Sequence, residues 1–206
     1  MGKKARQESR VAAAEAARRR SIRQRRLPLW KGIWIATGAA VLAFVLVIVL
    51  GKGPGLPTGT QTFAENNHRH VIGLVHYNRT PPAGGPHSAV WQNCGIYTQP
   101  VANENAVHSL EHGAVWITYR PNLSPIEIAT LQQFVSSHYV GSQRYLLLSP
   151  FPNLPVPVVA SAWGAQLRLK GANDPRLTAF VKHFIGGAQG GEKGAPCTGG
   201  TGTPSG

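Results

Sequence analysis

The chain carries one methionine, Met1, and two cysteines, Cys94 and Cys197, among 206 residues. A single methionine excludes a thioether-rich Cu(I) site. Two cysteines allow one bridge. The sequence also lacks a Walker loop, a dinucleotide fingerprint, a haem-attachment cysteine pair and a nucleophile elbow. Acidic residues are scarce: eight Asp and Glu stand against 21 Lys and Arg, a net charge of +13. Such an excess suggests nucleic acid, but its distribution argues against that partner. Residues 1–31 hold eleven Lys and Arg against Glu8 and Glu15, and from Lys52 onward ten basic residues face six acidic ones. The large charge belongs to a tail rather than to a binding face.

Charge is absent from Gly32 to Gly51, where eleven of twenty residues are Ile, Val, Leu or Phe. Twenty helical residues at about 1.5 Å each span roughly 30 Å, the thickness of a bilayer core. Trp30 and Trp34 suit the interface at one end. A secretory signal peptide is the competing reading, but its apolar region is normally about 7–15 residues. Residues 51–54 also lack a small-x-small cleavage pattern. The expectation is an uncleaved single-pass anchor that meets the lipid bilayer through residues 32–51. Its amino terminus is cytoplasmic and its remainder extracytoplasmic. Residues 1–28 suit either a basic helix on anionic lipid heads or a solvated tail.

Both cysteines then lie outside, where disulfides persist. A Cys94–Cys197 bridge closes a loop of about 100 residues, worth up to roughly 4.7 kcal/mol in the chain-entropy model. The alternative is Cys94 as a metal ligand.

The expected organisation is a basic cytoplasmic tail (1–31), a transmembrane helix (32–51), a linker (52–64), an extracytoplasmic domain (65–186) and a Gly-rich tail (187–206). That tail is expected to be disordered apart from its attachment at Cys197. Within the domain, residues 71–77, 114–119, 144–149 and 156–163 read as strands. Ser124-Pro125-Ile126-Glu127 opens a helix over 125–138, with Ser as N-cap, Pro at the first position and Glu at the third. Asp174-Pro175 caps a final helix with the stripe Leu177, Phe180, Val181, Phe184 and Ile185. The fold class is α+β: a small mixed sheet with two main helices packed on it, preceded by the transmembrane helix. Trp91, Trp116 and Trp163 read as core.

The chemistry concentrates in His108-Ser109-Leu110-Glu111-His112-Gly113 and, upstream, in Pro81-Pro82-Ala83-Gly84-Gly85-Pro86-His87. In a helical turn His108 and His112 start about 5–6 Å apart, and Glu111 shares their face. In a strand they are separated by roughly 13 Å, and Glu111 points away. Chelation therefore needs a helix over 104–112, for which Asn103 is the expected N-cap and Gly113 the stop. The Pro/Gly loop would hold His87 and Ser88 at little entropic cost. His87, His108, His112 and Glu111 are thus the candidate ligands, with imidazole favouring zinc or copper. His68 and His70 share one side of an extended segment and are weaker candidates. His138 and His183 suit helix C-termini.

Other readings compete. A histidine beside a turn is often a hydrogen-bonded structural residue. His-x-x-Glu-His also matches an inverzincin protease pattern, which needs a longer helix and a further ligand downstream. Of the later carboxylates, Glu127 and Asp174 are explained by helix starts, leaving Glu192.

Tyr-Asn…Pro-Pro…Gly-Pro-His at 77–87, Gly-Ile-Tyr at 95–97, Val-His-Ser-Leu-Glu-His-Gly at 107–113 and Ala-Trp-Gly at 162–164, with the anchor, resemble an uncharacterised bacterial family common in actinobacteria. The resemblance spans roughly residues 65–197. Ala83 and Gly84 stand where that family usually has Thr-Ser, so any hydroxyl role there does not carry over, while one for His87 does. The resemblance implies a membrane-tethered extracytoplasmic domain and supplies no activity. The sequence therefore leads to a His-rich site for a divalent transition metal or small polar ligand. A ligand-free cell-envelope interaction module is the alternative, and a metal-dependent hydrolase the second alternative.

Overall fold

Val115–Tyr119, an unbroken run of β-branched and aromatic residues, is buried at every position and forms the middle of a six-stranded sheet. A near-continuous run of this kind marks a strand covered on both faces. The computed structural model describes residues 2–24, 55–139, 141, 144–187 and 189–205. The chain divides into two compact units, residues 1–53 and 54–206. In the first, helix α1 (Gly2–Gln24) takes the helical alternative expected for the basic tail. The expected transmembrane segment 32–51 lies outside the described residues, among which no helix is long and apolar enough to cross a membrane.

The second unit contains β1 (Gln61–Thr62), β2 (Gly95–Ile96), α2 (Asn103–Glu111), β3 (Val115–Tyr119), α3 (Pro125–His138), β4 (Leu146–Pro150), β5 (Val158–Ala162), β6 (Ala165–Leu169) and α4 (Arg176–Phe184). The strand order is β1-β6-β5-β3-β4-β2. β3 runs parallel to β4, with Val115 opposite Leu146, and antiparallel to β5. The sheet is therefore mixed, and the fold is α+β as expected. Alternate β3 residues face opposite sides. Val115, Ile117 and Tyr119 pack with Leu131 and Val135 of α3 and with Leu177, Phe180 and Val181 of α4. Trp116 joins Ala106, Val107 and Leu110 of α2 and also Trp163. The two main helices thus cover one face, and α2 covers the other.

The expected helix start holds at α3, while at α4 the N-cap is Pro175, with no side-chain cap, and Asp174 precedes it. Ser124 Oγ accepts from Glu127 N–H at 3.3 Å and donates to the Glu127 carboxylate at 2.9 Å. The Asp174 carboxylate accepts from the backbone N–H of Arg176 and of Lys170, both at 3.1 Å, and from the Arg176 guanidinium at 2.6 Å. That guanidinium holds the Asp174 carboxyl well below the usual carboxylate range. A depressed carboxylate stabilises the fold above its unfolded pKa, and the contribution fades as pH falls through the ordinary range near 4. Asp174→Asn keeps a side-chain acceptor but removes the charge that meets Arg176, and should cost about 1.5–3 kcal/mol at pH 7, on the scale of a hydrogen bond to a charged group. In urea titrations that gap should narrow toward pH 3; an equal gap at both pH values would contradict the argument.

Several expectations are corrected. Residues 71–77 form no strand. Val71 N–H bonds to His87 O, and Val75 N–H turns instead to the Glu104 carboxylate at 2.8 Å. Among the described residues no strand completes a ladder with this apolar pattern, and Ile72 and Leu74 stand fully exposed. At α2 the N-cap is Ala102 rather than Asn103, with no side-chain cap. Gly113 (φ 99°) does stop that helix. β1, β2 and β6 were not anticipated.

The Gly-rich tail is ordered along residues 91–96. Asn93 N–H bonds to Thr201 O, Thr201 N–H to Trp91 O, and Ser205 N–H to Ile96 O. Cys94 and Cys197 are disulfide-bonded, 103 residues apart in sequence, so neither thiol is free to bind metal.

Candidate metal centre

α2 and the Pro/Gly loop are tied together by backbone. Ser88 N–H bonds to Glu104 O, and Gln92 N–H to Asn105 O. The buried Ser109 hydroxyl donates to Gln92 O at 2.6 Å. This docking sets His87, on the loop, against His108 and Glu111, on the last turn of α2. The ring centroids of His87 and His108 are 4.8 Å apart.

Each of three imidazoles is fixed by a main-chain carbonyl. His87 Nδ1 lies 2.8 Å from Gly85 O, His108 Nδ1 2.7 Å from Ser88 O, and His112 Nδ1 2.7 Å from Pro196 O. A carbonyl oxygen only accepts, so Nδ1 carries the proton in each ring and Nε2 is left for another partner. Metal-ligating histidines are generally oriented in this way. Burial holds the His108 imidazole down at about 4, from an ordinary 6.5; the neighbouring His112, His87 and His70 rings add to this and the Ser88 carbonyl opposes it. His108 is therefore neutral at pH 7, with its Nε2 lone pair available.

The carboxylate of Glu111 is almost fully buried. His68 Nδ1 bonds to Oε1, and His87 Nε2 lies 2.8 Å from Oε2. That second approach lacks hydrogen-bond geometry, so His87 Nε2 and Glu111 Oε2 are both buried without a hydrogen-bond partner. Two buried acceptors facing each other are costly unless something positive lies between them. His70, His87, His108 and Glu111 each offer a ligand atom, all within 4.8 Å of one another. A second group, equally close, joins His108, His112 and Glu192. His112 Nε2 lies 3.1 Å and His108 Nε2 3.7 Å from Glu192 Oε2.

The segment expected to be helical is helical, and three of the four expected ligands, His87, His108 and Glu111, fall in one group. His112 falls in the other. The His-x-x-Glu-His pattern is thereby split, since Glu111 faces His87 and His68 while His112 faces Glu192. From sequence His70 is a weaker candidate, and Glu192 stands only as the downstream carboxylate left over for a protease-type ligand set. The His-x-His spacing at 68–70 was the available signal for the first; nothing local marked the second. Of the three tryptophans expected in the core, Trp116 and Trp163 are buried there and Trp91 is only partly buried; Trp163 and Trp91 border the site. Trp163 stacks on His68 at 4.6 Å, and Trp91 packs on His112 at 4.9 Å. A cleft of about 450 Å³ lined by Phe63, Glu65, Tyr77, Arg79, Pro82 and Gly84 includes none of the clustered residues.

The C-terminal segment closes over this arrangement. A side chain on Gly190 would strike the Glu111 carbonyl oxygen and lie 2.5 Å from its Cα.

Fold and site together define an α+β domain with a buried histidine–glutamate group between a Pro/Gly loop and a short helix. Residues 68–199 match the family model described as protein of unknown function (DUF3105), and the chain belongs to that family. The match begins at His68 and includes every residue of both groups. No curated protein and no solved structure matches the chain.

Proposed function

We propose that this protein is a membrane-anchored, extracytoplasmic domain that binds a divalent transition metal through His70, His87, His108 and Glu111. The observation that carries this reading is the pair of buried, unpartnered acceptors, His87 Nε2 and Glu111 Oε2, 2.8 Å apart. A cation between them satisfies both. Three imidazoles and one carboxylate favour Zn²⁺ or Cu²⁺ over Mg²⁺ or Ca²⁺. Four protein ligands fill a tetrahedral shell, which suits holding an ion better than activating water for hydrolysis. Residues 32–51 provide the anchor, and the basic tail meets anionic lipid heads.

The full chain, purified without an affinity tag, should hold about one equivalent of zinc or copper by elemental analysis. His87→Ala and Glu111→Gln should each lower affinity roughly 100-fold or more and leave little metal after dialysis. A metal-free protein whose melting temperature ignores added Zn²⁺ and Cu²⁺ would contradict the proposal. A second reading, an envelope interaction module, draws on Ile72 and Leu74, fully exposed beside His70. Elemental analysis separates the two, because a ligand-free module carries no metal, and serine at both positions would weaken only its protein contacts.

A further inference from the structure

The geometry points to two mutually exclusive positions for one ion, an outer one on His112 and Glu192 and an inner one on His87 and Glu111, with His108 belonging to both. This inference rests on the metal reading above. His108 Nδ1 is committed to Ser88 O, so the ring has a single lone pair, on Nε2. One imidazole nitrogen holds one ion. His108 nevertheless stands within 4.8 Å of the ligand atoms of both groups.

The groups also differ in access. Glu192 is about half exposed (45 %), whereas the side chains of His87 and Glu111 are 0 % and 3 % exposed. His112, at the C-cap of α2, is buried but reaches Glu192 directly at 3.1 Å. The inner group is open to solvent at one ligand, His70, but only Glu192 places a negative charge at the surface, and that charge draws an arriving cation to Glu192 first. Transfer inward keeps the His108 bond, breaks those to His112 and Glu192, and forms those to His87, Glu111 and His70. Water fills any remaining position, and no electron moves. The outer pair acts as an entry and exit step.

The test uses the tag-free full chain and Zn²⁺, with a chromophoric chelator followed by stopped-flow. At saturation the chain should hold one ion, not two. Glu192→Gln, at an exposed position, should slow both loading and chelator-driven release roughly tenfold. Because both rates fall together, affinity should move by less than about threefold, far less than for the inner ligands. His87→Ala combined with Glu111→Gln should retain weak, rapidly exchanging binding at the outer pair. Two ions per chain, or Glu192→Gln exchanging at the unaltered rate, would overturn the shared-ligand reading while leaving the inner site standing. A chain that takes up no zinc would instead overturn the metal reading itself.

Discussion

Replacing Cys94 and Cys197 together by serine should lower the melting temperature by about 10 °C, as should reductant added to the unaltered protein. The bridge spans 103 residues, and a loop of that size restrains the unfolded chain by up to about 4.7 kcal/mol, with 2–5 kcal/mol typical on removal. In a chain of this length each kcal/mol moves the midpoint by about 2–4 °C. The bridge also carries structure: Cys94 N–H bonds to Cys197 O at 2.8 Å, and the residues around Cys197 supply the carbonyl that orients His112. The loss should therefore appear in metal retention as well as in calorimetry. A shift below about 2 °C would mean that the tail is held by its backbone pairing alone.

Gly190→Ala should be the most damaging single methyl addition in the covering segment. The new Cβ would meet main-chain atoms of Glu111, 2.5 Å from Cα and 2.6 Å from C, and main chain inside a helical turn cannot swing aside as a side chain can. Overpacking of this kind costs about 1–3 kcal/mol. Here the displaced residue is a proposed ligand, so metal affinity should also fall roughly tenfold or more. Gly55→Ala is the comparison, since its added Cβ meets nothing within 4 Å and its backbone is outside the left-handed region. Equal effects of the two substitutions on metal affinity would sink the argument.

What was legible in the sequence was local. Ser124, Pro125 and Glu127 mark a helix start through contacts within four residues, and Asp174 does the same two residues before Arg176. β3 was legible because a strand buried on both faces reads as a near-continuous β-branched and aromatic run, in which Thr118 is accommodated by donating to Val159 O. β6 carries a short alternation, Ala165-Gln166-Leu167-Arg168-Leu169, five residues set between a turn and the next helix. The strand expected at 71–77 failed for the converse reason: alternation describes a strand only where a neighbour completes the ladder, and Val75 finds a glutamate instead. The site was half legible. His108 and Glu111 are three residues apart, so helical geometry alone brings them together. His68 reaches Glu111 across 43 residues, and Glu192 reaches His112 through a Gly-rich tail whose path is set by a bridge to Cys94. Pairings over such distances leave no periodicity to read.

The carbonyls that orient the histidines come from widely separated stretches, Gly85 and Ser88 in one loop and Pro196 in the tail, the last 84 residues from the ring it holds. The unfolded chain contains the donors but not their orientation. Any affinity for an ion is then part of the free energy of folding. For the ion-loaded protein a strong chelator is in effect a denaturant, acting by mass action without touching the hydrophobic core.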